Sequence, residues 1–236
     1  MSKSRNKAIA AKEQTSPWVH LFFILFGLAC LIPFLVIVSA SFSDEMDLAR
    51  SGFGLIPKKF DLTAYAYLFE NPITFINAYQ VTLYITVVGT FLGTLFITMV
   101  AFTLARKNFR FRSLLTAYIF FPTLFSGGLV SSYLINTQYL HLRDNLLALI
   151  LPSLINVFHV IMVRTFFMQL PESLFEAAKM DGASEYMLFF KIALPLSKPV
   201  IATVAFLGAL SKWNEWYNAM LYIRNEDLVP LQYMLQ

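Results

Sequence analysis

Long apolar runs constrain the fold of this chain more than any other feature of its sequence. Five runs carry few charged side chains, at residues 18–41, 77–104, 113–136, 145–167 and 199–223. A helix needs about 20 residues to cross the hydrocarbon core of a bilayer, and each run is long enough. Charged residues make up only 14% of the chain, whereas a globular domain has about 25%. The sequence therefore predicts an all-α integral membrane protein with five transmembrane helices.

Basic residues at the ends of these runs predict the orientation of the chain. Four lie in the N-terminal tail, residues 1–17, four between the second and third runs, and four within 164–198. Cytoplasmic loops carry the excess of Lys and Arg, so these three segments are predicted to be cytoplasmic. The loop 42–75, which contains five acidic residues, and the segment 224–236 are then extracytoplasmic. The isoelectric point of about 9.1 reflects these span ends, and no nucleic-acid partner is expected.

Motifs that would indicate a nucleotide-binding, metal-binding or catalytic site are absent from this sequence. It contains neither Gly-x-x-x-x-Gly-Lys-Ser/Thr, which cradles nucleotide phosphates, nor His-Glu-x-x-His, which binds zinc. Ser126-Gly127-Gly128 lacks the flanking motif of a serine protease, and Cys30 is the only cysteine. We therefore predict no catalytic residue, no metal site and no bound cofactor in this chain.

A polar, helix-forming stretch at residues 171–195 interrupts the apolar pattern. Pro171 suits the first turn of a helix, and Ala177 and Ala178 favour helix strongly. Gly182 can adopt the left-handed conformation that ends a helix. Ser184 can then cap a second helix, which Pro195 would close. The stretch predicts a helix, a sharp turn and a second helix at the membrane surface.

The same stretch resembles a known family. Glu176-Ala-Ala, three residues, Gly182, nine residues and Ile192-x-Leu194-Pro195 resemble the EAA loop of the permease subunits of ABC importers. Flanking residues are similar to the MalG-like carbohydrate permeases, in the branch labelled YtcP or LplC: Arg164-Thr-Phe-Phe, Pro171-Glu-x-Leu174, Asp181-Gly-Ala183, Leu194-Pro-Leu-Ser-Lys-Pro199 and Trp213-Asn214. The resemblance extends from about residue 75 to the end, and more weakly into the first span. Residues 76–223 would form the transmembrane domain of the importer, with the EAA loop at 171–195.

The resemblance implies how such a subunit would work. Glu176, Ala177, Ala178, Asp181 and Gly182 would form the coupling helix and turn that contact a separate ATPase. The expected partners are a homologous second permease, two ATPase subunits that bind ATP and Mg²⁺, an extracytoplasmic sugar-binding protein, a carbohydrate substrate and membrane lipid. The expected location is the cell membrane of a prokaryote. Members of the family have a sixth span, so the segment 224–236 would be the linker to a last helix. The alternative for the coupling stretch is an ordinary interfacial helix that only joins two spans.

Polar side chains within the apolar runs predict the substrate pathway, because such groups are costly in a membrane. Asn156 and His159 lie in the fourth run, and Trp213, Asn214 and Glu215 lie in the fifth. Amide and aromatic groups suit the hydroxyls and ring faces of sugars. Lys212 stands three residues before Glu215, and the two could pair. These residues could instead hold the helices together. Thr82, Thr86, Thr90, Thr94 and Thr98, beside Gly89 and Gly93, form a row that favours close helix packing or lines a pathway.

The function predicted from the sequence is that of a permease subunit of an ATP-driven ABC importer for carbohydrates, with oligosaccharides as the expected cargo. Two alternatives stay open at this point. One is the same architecture with another solute as cargo. The other is a secondary transporter, which would carry its own coupling-ion site and repeated halves, although no internal repeat is found in the sequence.

Overall fold

The structure is a computed structural model that describes residues 17–70 and 72–236, so the predicted tail lies almost entirely outside the described residues. Within those ranges the chain is helical and forms no strand, only an isolated bridge between Ser43 and Phe60. The α-helices are α1 Pro17–Ser41, α2 Glu45–Ser51, α3 Thr63–Glu70, α4 Pro72–Ala105, α5 Arg112–Leu124, α6 Gly128–Leu134, α7 Leu147–Ile150, α8 Val157–Met168, α9 Glu172–Met180, α10 Glu185–Met187, α11 Leu194–Leu196, α12 Lys198–Trp213, α13 Tyr217–Tyr222 and α14 Leu231–Met234. A π-turn at Ile135–Tyr139 extends α6, another at Leu188–Ala193 joins α10 to α11, and a 3-10 turn at Glu226–Leu228 precedes α14.

The apolar helices confirm the predicted class, an all-α membrane protein. Among residues 17–70 and 72–236, two uninterrupted helices, α1 and α4, are long and apolar enough to cross a membrane. Two helix pairs pass the same test together but are bent, Arg112–Leu124 with Gly128–Tyr139 by 116° and Glu185–Leu196 with Lys198–Trp213 by 84°. By length and composition the described chain thus holds two to four spans, and the number five stays a prediction.

The predicted continuous helix within 145–167 is wrong. The short helix α7 ends at Ile150, residues 151–156 are not helical, and α8 begins only at Val157. Pro152 lacks a backbone N–H and disfavours helix in the residue before it, which explains the interruption. Asn156 then starts α8, since its side-chain oxygen accepts from the N–H groups of Phe158 at 2.9 Å and His159 at 3.3 Å.

The third and fifth apolar runs are also interrupted. In the third run α5 ends at Leu124 and α6 begins at Gly128, whose φ of 80° is unfavourable for residues with a side chain. The glycine pair Gly127-Gly128 is compatible with either a kink or a complete break of the helix, and the structure shows a break. In the fifth run α12 ends at Trp213 and α13 begins at Tyr217, so 199–223 is not one helix.

The first compact unit of the chain ends at Pro72 and the second begins at Ile73. In the first unit the segment after α1 is folded around Phe42, whose ring stacks on Phe60 and on Tyr65, each at 5.5 Å between centroids. Asp44 caps α2 and pairs with Lys59 at 2.6 Å. The loop predicted at 42–75 also contains the short helix α3.

The second unit has its largest core where the end of α4 meets α8, α9 and the helix 185–196. Phe102 lies at the centre of this core, with its ring centroid 5.9 Å from Phe167, 6.2 Å from Phe175 and 5.4 Å from Phe189. A smaller cluster around Ile85 and Leu149 joins α4 to α7, α13 and the C-terminal residues.

The segment 224–236 is folded onto the second unit. Asp144 accepts hydrogen bonds from the backbone N–H groups of Arg224 and Asn225, and its own N–H donates to the carbonyl of Tyr222 at 3.0 Å. Further on, the N–H of Leu231 donates to Thr82 Oγ1 on α4 at 2.8 Å. The hydroxyl of this threonine, in the row noted in the sequence, therefore binds the C-terminal segment.

Candidate functional site

The EAA segment, residues 171–195, folds as two helices with a tight turn between them. Its first helix, α9, follows Pro171 and ends at Met180. Gly182 has φ 82° and donates its N–H to the carbonyl of Lys179 at 3.0 Å, while Ala183 donates to that of Ala178 at 2.9 Å. This pair of bonds is a Schellman motif, which satisfies carbonyls left free at a helix end.

The second helix begins as the sequence predicts but ends later. Ser184 Oγ accepts from the N–H of Met187 at 3.4 Å and caps the start. The helix continues through Pro195 to Leu196, because the π-turn at Leu188–Ala193 shifts the hydrogen-bonding pattern before the proline. The predicted end at Pro195 is therefore wrong, and the break comes at Ser197. Ser197 does not cap the next helix, and its buried Oγ has no hydrogen-bond partner in the described part of the chain.

A clamp of aromatic and charged side chains holds the EAA segment against α4. Phe175 of α9 is buried against the core, and the guanidinium of Arg106 lies 4.6 Å from the centroid of its ring. Arg106 also pairs with Glu185 at 3.6 Å, and Lys179 pairs with Glu185 at 2.7 Å across the turn. Because these contacts join both helices to each other and to the end of α4, the segment is attached to the bundle as one body.

A further ion pair ties the start of α9 to the same place. Lys107 Nζ lies 2.8 Å from a carboxylate oxygen of Glu172. This hydrogen bond, together with the positive charge of Lys107, lowers the pKa of Glu172 below its usual value. Both side chains are more than half exposed, so solvent and salt weaken the pair.

The predicted coupling residues lie on the open side of this segment. Glu176, Ala177, Asp181 and Gly182 are exposed, while Ala178 is half-buried and packs against the core. Their neighbours include apolar side chains that nothing covers in the described chain, among them Met180, which is 88% exposed. Beside them a cavity of about 820 Å³ opens between α9 and residues 99–109, and Glu176 and Lys179 contribute to its wall.

A second cavity lies between α4, α8, α12 and the non-helical residues 151–156. Its volume is about 350 Å³. The polar side chains on its wall are Thr90, Thr94, Ser153, Asn156, His159, Ser211 and Lys212. Gly89 and Gly93 of α4 allow the close approach, since an added Cβ would meet the Lys212 side chain at 3.1 Å and the carbonyl of Leu154 at 3.1 Å, respectively. We refer to this space as the α4–α12 cavity.

Lys212 links the two sides of the α4–α12 cavity. Only 4% of the residue is exposed, and its Nζ donates to the carbonyls of Leu149 at 2.8 Å and Ile150 at 3.1 Å. The third hydrogen bond goes to Ser153 Oγ. The two carbonyls lie at the end of α7, where the interruption at Pro152 leaves such groups without helical partners. Lys212 thus stabilises the non-helical segment inside the bundle.

The predicted pathway residues fall into two groups. Asn156 and His159 line the α4–α12 cavity, but Trp213, Asn214 and Glu215 do not. Trp213 packs edge-on against Tyr79, and the amide of Asn214 donates to the carbonyl of Leu210 at 2.8 Å. Glu215 does not pair with Lys212 as suggested by their spacing. Its carboxylate accepts instead from the N–H and the side-chain amide of Asn218, each at 3.0 Å.

Sequence reasoning missed Ser211 and also Ser153, the wall residue that binds Lys212. The place of Ser153 follows from two signals together, the helix break at Pro152 and a lysine within an apolar run. Neither signal shows by itself that the two residues meet, because 59 positions separate them in the chain.

Comparison with known proteins identifies the family. Residues 93–217 match the model of the family described as binding-protein-dependent transport system inner membrane component. Protein LplC of Bacillus subtilis is 44% identical over 210 residues, which are 89% of this chain and 70% of that protein. The polygalacturonan/rhamnogalacturonan transport system permease protein YtcP of the same species is 37% identical over 218 residues, 92% of this chain and 76% of YtcP. A chain in the crystal structure of a bacterial ABC transporter involved in the import of the acidic polysaccharide alginate superposes with a TM-score of 0.81, at 30% identity over 94% of this chain and 81% of that one.

The chain therefore belongs to the family of binding-protein-dependent transport system inner membrane components. It is a multi-pass membrane protein. Its relatives are transport permeases and not enzymes, which confirms the prediction that this chain is a membrane transport subunit.

Proposed function

We propose that this chain is one of two permease subunits of an ABC importer for oligosaccharides, driven by a separate ATPase. One observation carries the proposal: ion-pair and cation–π contacts attach the EAA segment to the end of α4, while Glu176 and Ala177 of α9 remain exposed. A segment built in this way can transmit a push from a partner to the helices behind it. The relatives named for the transport of polygalacturonan and alginate support a carbohydrate as cargo.

In this proposal the energy for transport enters through α9. The N-terminus and the EAA segment face the cytoplasm, where two ATPase subunits bind ATP and Mg²⁺. Glu176 meets a basic group of the ATPase, and Ala177 and Ala178 allow close packing against it. Because Phe102, Phe175 and Phe189 join the segment to α4 and α8, movement of α9 would displace the walls of the α4–α12 cavity. A homologous second permease completes the pathway, and an extracytoplasmic binding protein delivers the sugar.

Substitutions in the EAA segment test this proposal. Loss of one partner of a buried, hydrogen-bonded charge pair costs about 2–5 kcal/mol, so Glu176→Ala should weaken binding of the ATPase by more than tenfold. Gly182→Val should misaim the second helix, because a β-branched residue is strained at φ 82°. Co-purification of the ATPase and uptake of sugar by the complete transporter are the measurements.

Matched variants serve as controls for both changes. Gly182→Asn keeps a residue that tolerates the left-handed conformation and should retain coupling. Glu172→Gln removes an exposed carboxylate that binds Lys107 within this chain and should retain the ATPase. Normal ATPase retention and normal uptake in both Glu176→Ala and Gly182→Val would refute the coupling role of the segment.

A further inference from the structure

The charged amine of Lys212 is enclosed at the wall of the α4–α12 cavity. Its Nζ lies within hydrogen-bonding distance of three acceptors, the carbonyls of Leu149 and Ile150 and the hydroxyl oxygen of Ser153. A neutral amine has two hydrogens to donate, whereas an ammonium has three. The ammonium form therefore donates one hydrogen to each of the three acceptors.

This charge forms no ion pair in the described part of the chain, although the carboxylate of Glu215 acts on it electrostatically from outside the cavity wall. None of the ion pairs there includes Lys212, and Glu215 is engaged by Asn218. Among the described residues, the cavity wall holds no carboxylate, since its other polar groups are hydroxyls, the amide of Asn156 and the imidazole of His159. A negatively charged ligand at this wall would be stabilised by the enclosed positive charge more than a neutral one.

Two hydrogen-bond donors line the same cavity as the ammonium. Ser153 Oγ accepts from Lys212, so its own hydrogen is left to donate, and a hydroxyl that accepts from a cation is a stronger donor. Asn156 uses its side-chain oxygen to cap α8, which leaves its amide N–H groups for a ligand. Carboxylate oxygens are the acceptors that match a pair of donors next to a positive charge.

We propose that the α4–α12 cavity binds the carboxylate of an acidic saccharide, with Ser153 and Asn156 as donors and Lys212 as the fixed positive charge behind them. This inference rests on the proposed function and specifies its substrate class. Lys212 has all three hydrogens in use, so it acts by its electrostatic field and by holding Ser153 in place. The cavity volume of about 350 Å³ lies within the range of small-molecule sites, about 300–1,000 Å³.

Substitution of Ser153 tests the charge without removing Lys212, whose loss would leave the carbonyls of α7 unsatisfied. Ser153→Asp places a carboxylate beside the ammonium and so supplies an ion-pair partner at the cavity wall from the chain itself. Ser153→Asn changes size to a similar extent without adding charge. Cells that carry the complete transporter are given oligogalacturonate and oligomannuronate, each paired with its uncharged methyl ester, and a panel of neutral oligosaccharides. The quantity measured is the ratio of acid uptake to ester uptake.

We expect the unsubstituted transporter to favour at least one acid over its ester. Ser153→Asp should lower the ratio of acid uptake to ester uptake about tenfold, which corresponds to about 1.4 kcal/mol. Ser153→Asn should reduce uptake of both sugars together and leave the ratio within twofold. Because the same binding protein delivers both sugars to every variant, a change in the ratio belongs to the permease.

The remaining outcomes separate this inference from the proposed function. Uptake of neutral oligosaccharides or esters without preference for an acid would overturn the inference and leave the importer proposal standing. An equal fall of the ratio in both variants, or no fall in either, would also overturn it. Failure to take up any saccharide of the set would refute the carbohydrate function itself.

Discussion

Single side chains supply hydrogen-bond partners to backbone groups in the non-helical parts of this membrane chain. Lys212 binds the carbonyls at the end of α7, Asn156 caps α8, and Asp144 binds two backbone N–H groups of the C-terminal segment. In each case a side chain replaces the hydrogen bond that a regular helix would provide. The irregular segments can therefore lie inside or against the bundle without unpaired backbone groups at these points.

The carboxylate of Asp144 predicts a pH dependence of stability. Hydrogen bonds from the N–H groups of Arg224 and then Asn225 lower its pKa. A group whose pKa is lower in the folded state stabilises the fold above its unfolded pKa, about 3.9, and this contribution is lost as pH falls through the folded value. Asp144→Ala should therefore lower the melting temperature at pH 7, and the difference from the unsubstituted chain should shrink below about pH 4.

Asp144→Asn provides the matched control for this experiment. Its amide oxygen can still accept from Arg224 or Asn225 but does not titrate. We expect it to retain part of the stability at pH 7 and to lose less on acidification. An equal difference between Asp144→Ala and the unsubstituted chain at pH 7 and pH 3 would contradict the assignment.

At the scale of helices and turns, some elements are predictable from the sequence and others are not. The two helices and the turn of the EAA segment are predictable because their determinants are local, namely a left-handed glycine and a serine cap. The first two apolar helices are predictable from length and hydropathy alone. Hydropathy fails for 145–167, because an apolar segment can leave the helical conformation when a distant residue satisfies its carbonyls.

The same reasoning explains what could not be predicted of the candidate site. Asn156 and His159 were found as polar groups in an apolar run, and the structure places both at the α4–α12 cavity. Trp213, Asn214 and Glu215 meet the same criterion, but they lie at the end of α12 and outside the cavity wall. Asn214 and Glu215 bind residues three or four positions away, and Trp213 packs against Tyr79 of α4. The sequence does not show where a helix stops, so it could not separate the two groups.

Alanine in place of glycine should have opposite effects on stability at Gly89, which contacts the side chain of Lys212, and at Gly208. A Cβ at Gly89 would lie 3.1–3.3 Å from three carbons of Lys212, whose Nζ is held by three hydrogen bonds. Gly89→Ala should therefore destabilise the chain by about 1–3 kcal/mol, as overpacking does. Gly208→Ala meets nothing within 4 Å and should stabilise α12 by about 0.5–1 kcal/mol.

Thermal or denaturant unfolding of the purified protein in detergent measures both effects. The sign of the difference decides the outcome. If Gly89→Ala stabilised the chain as much as Gly208→Ala, Lys212 would not be fixed against α4 as described.

At the scale of the whole molecule, the proposed orientation follows from charges at the span ends. Arg106 and Lys107 lie at the end of α4, and both contact the EAA segment, so these two segments must be on the same side of the membrane. In a Cys30→Ser background, cysteines at Lys107 and Lys179 should be shielded from impermeant thiol reagents applied outside the cell. A cysteine at Lys58 should react. Ready external labelling at position 179 would reverse the orientation.

A transport assay that identifies the source of the driving energy is the sharpest test of the proposal that this chain is a permease subunit of an ATP-driven importer. The complete transporter is reconstituted in proteoliposomes, and its binding protein is added outside. The lumen contains either ATP or a non-hydrolysable analogue, and uptake of labelled oligosaccharide is measured. We expect uptake only with hydrolysable ATP, and loss of uptake in Glu176→Ala while the permease remains inserted. Uptake that proceeds without ATP and follows an imposed ion gradient would contradict the proposal and would identify a secondary transporter instead.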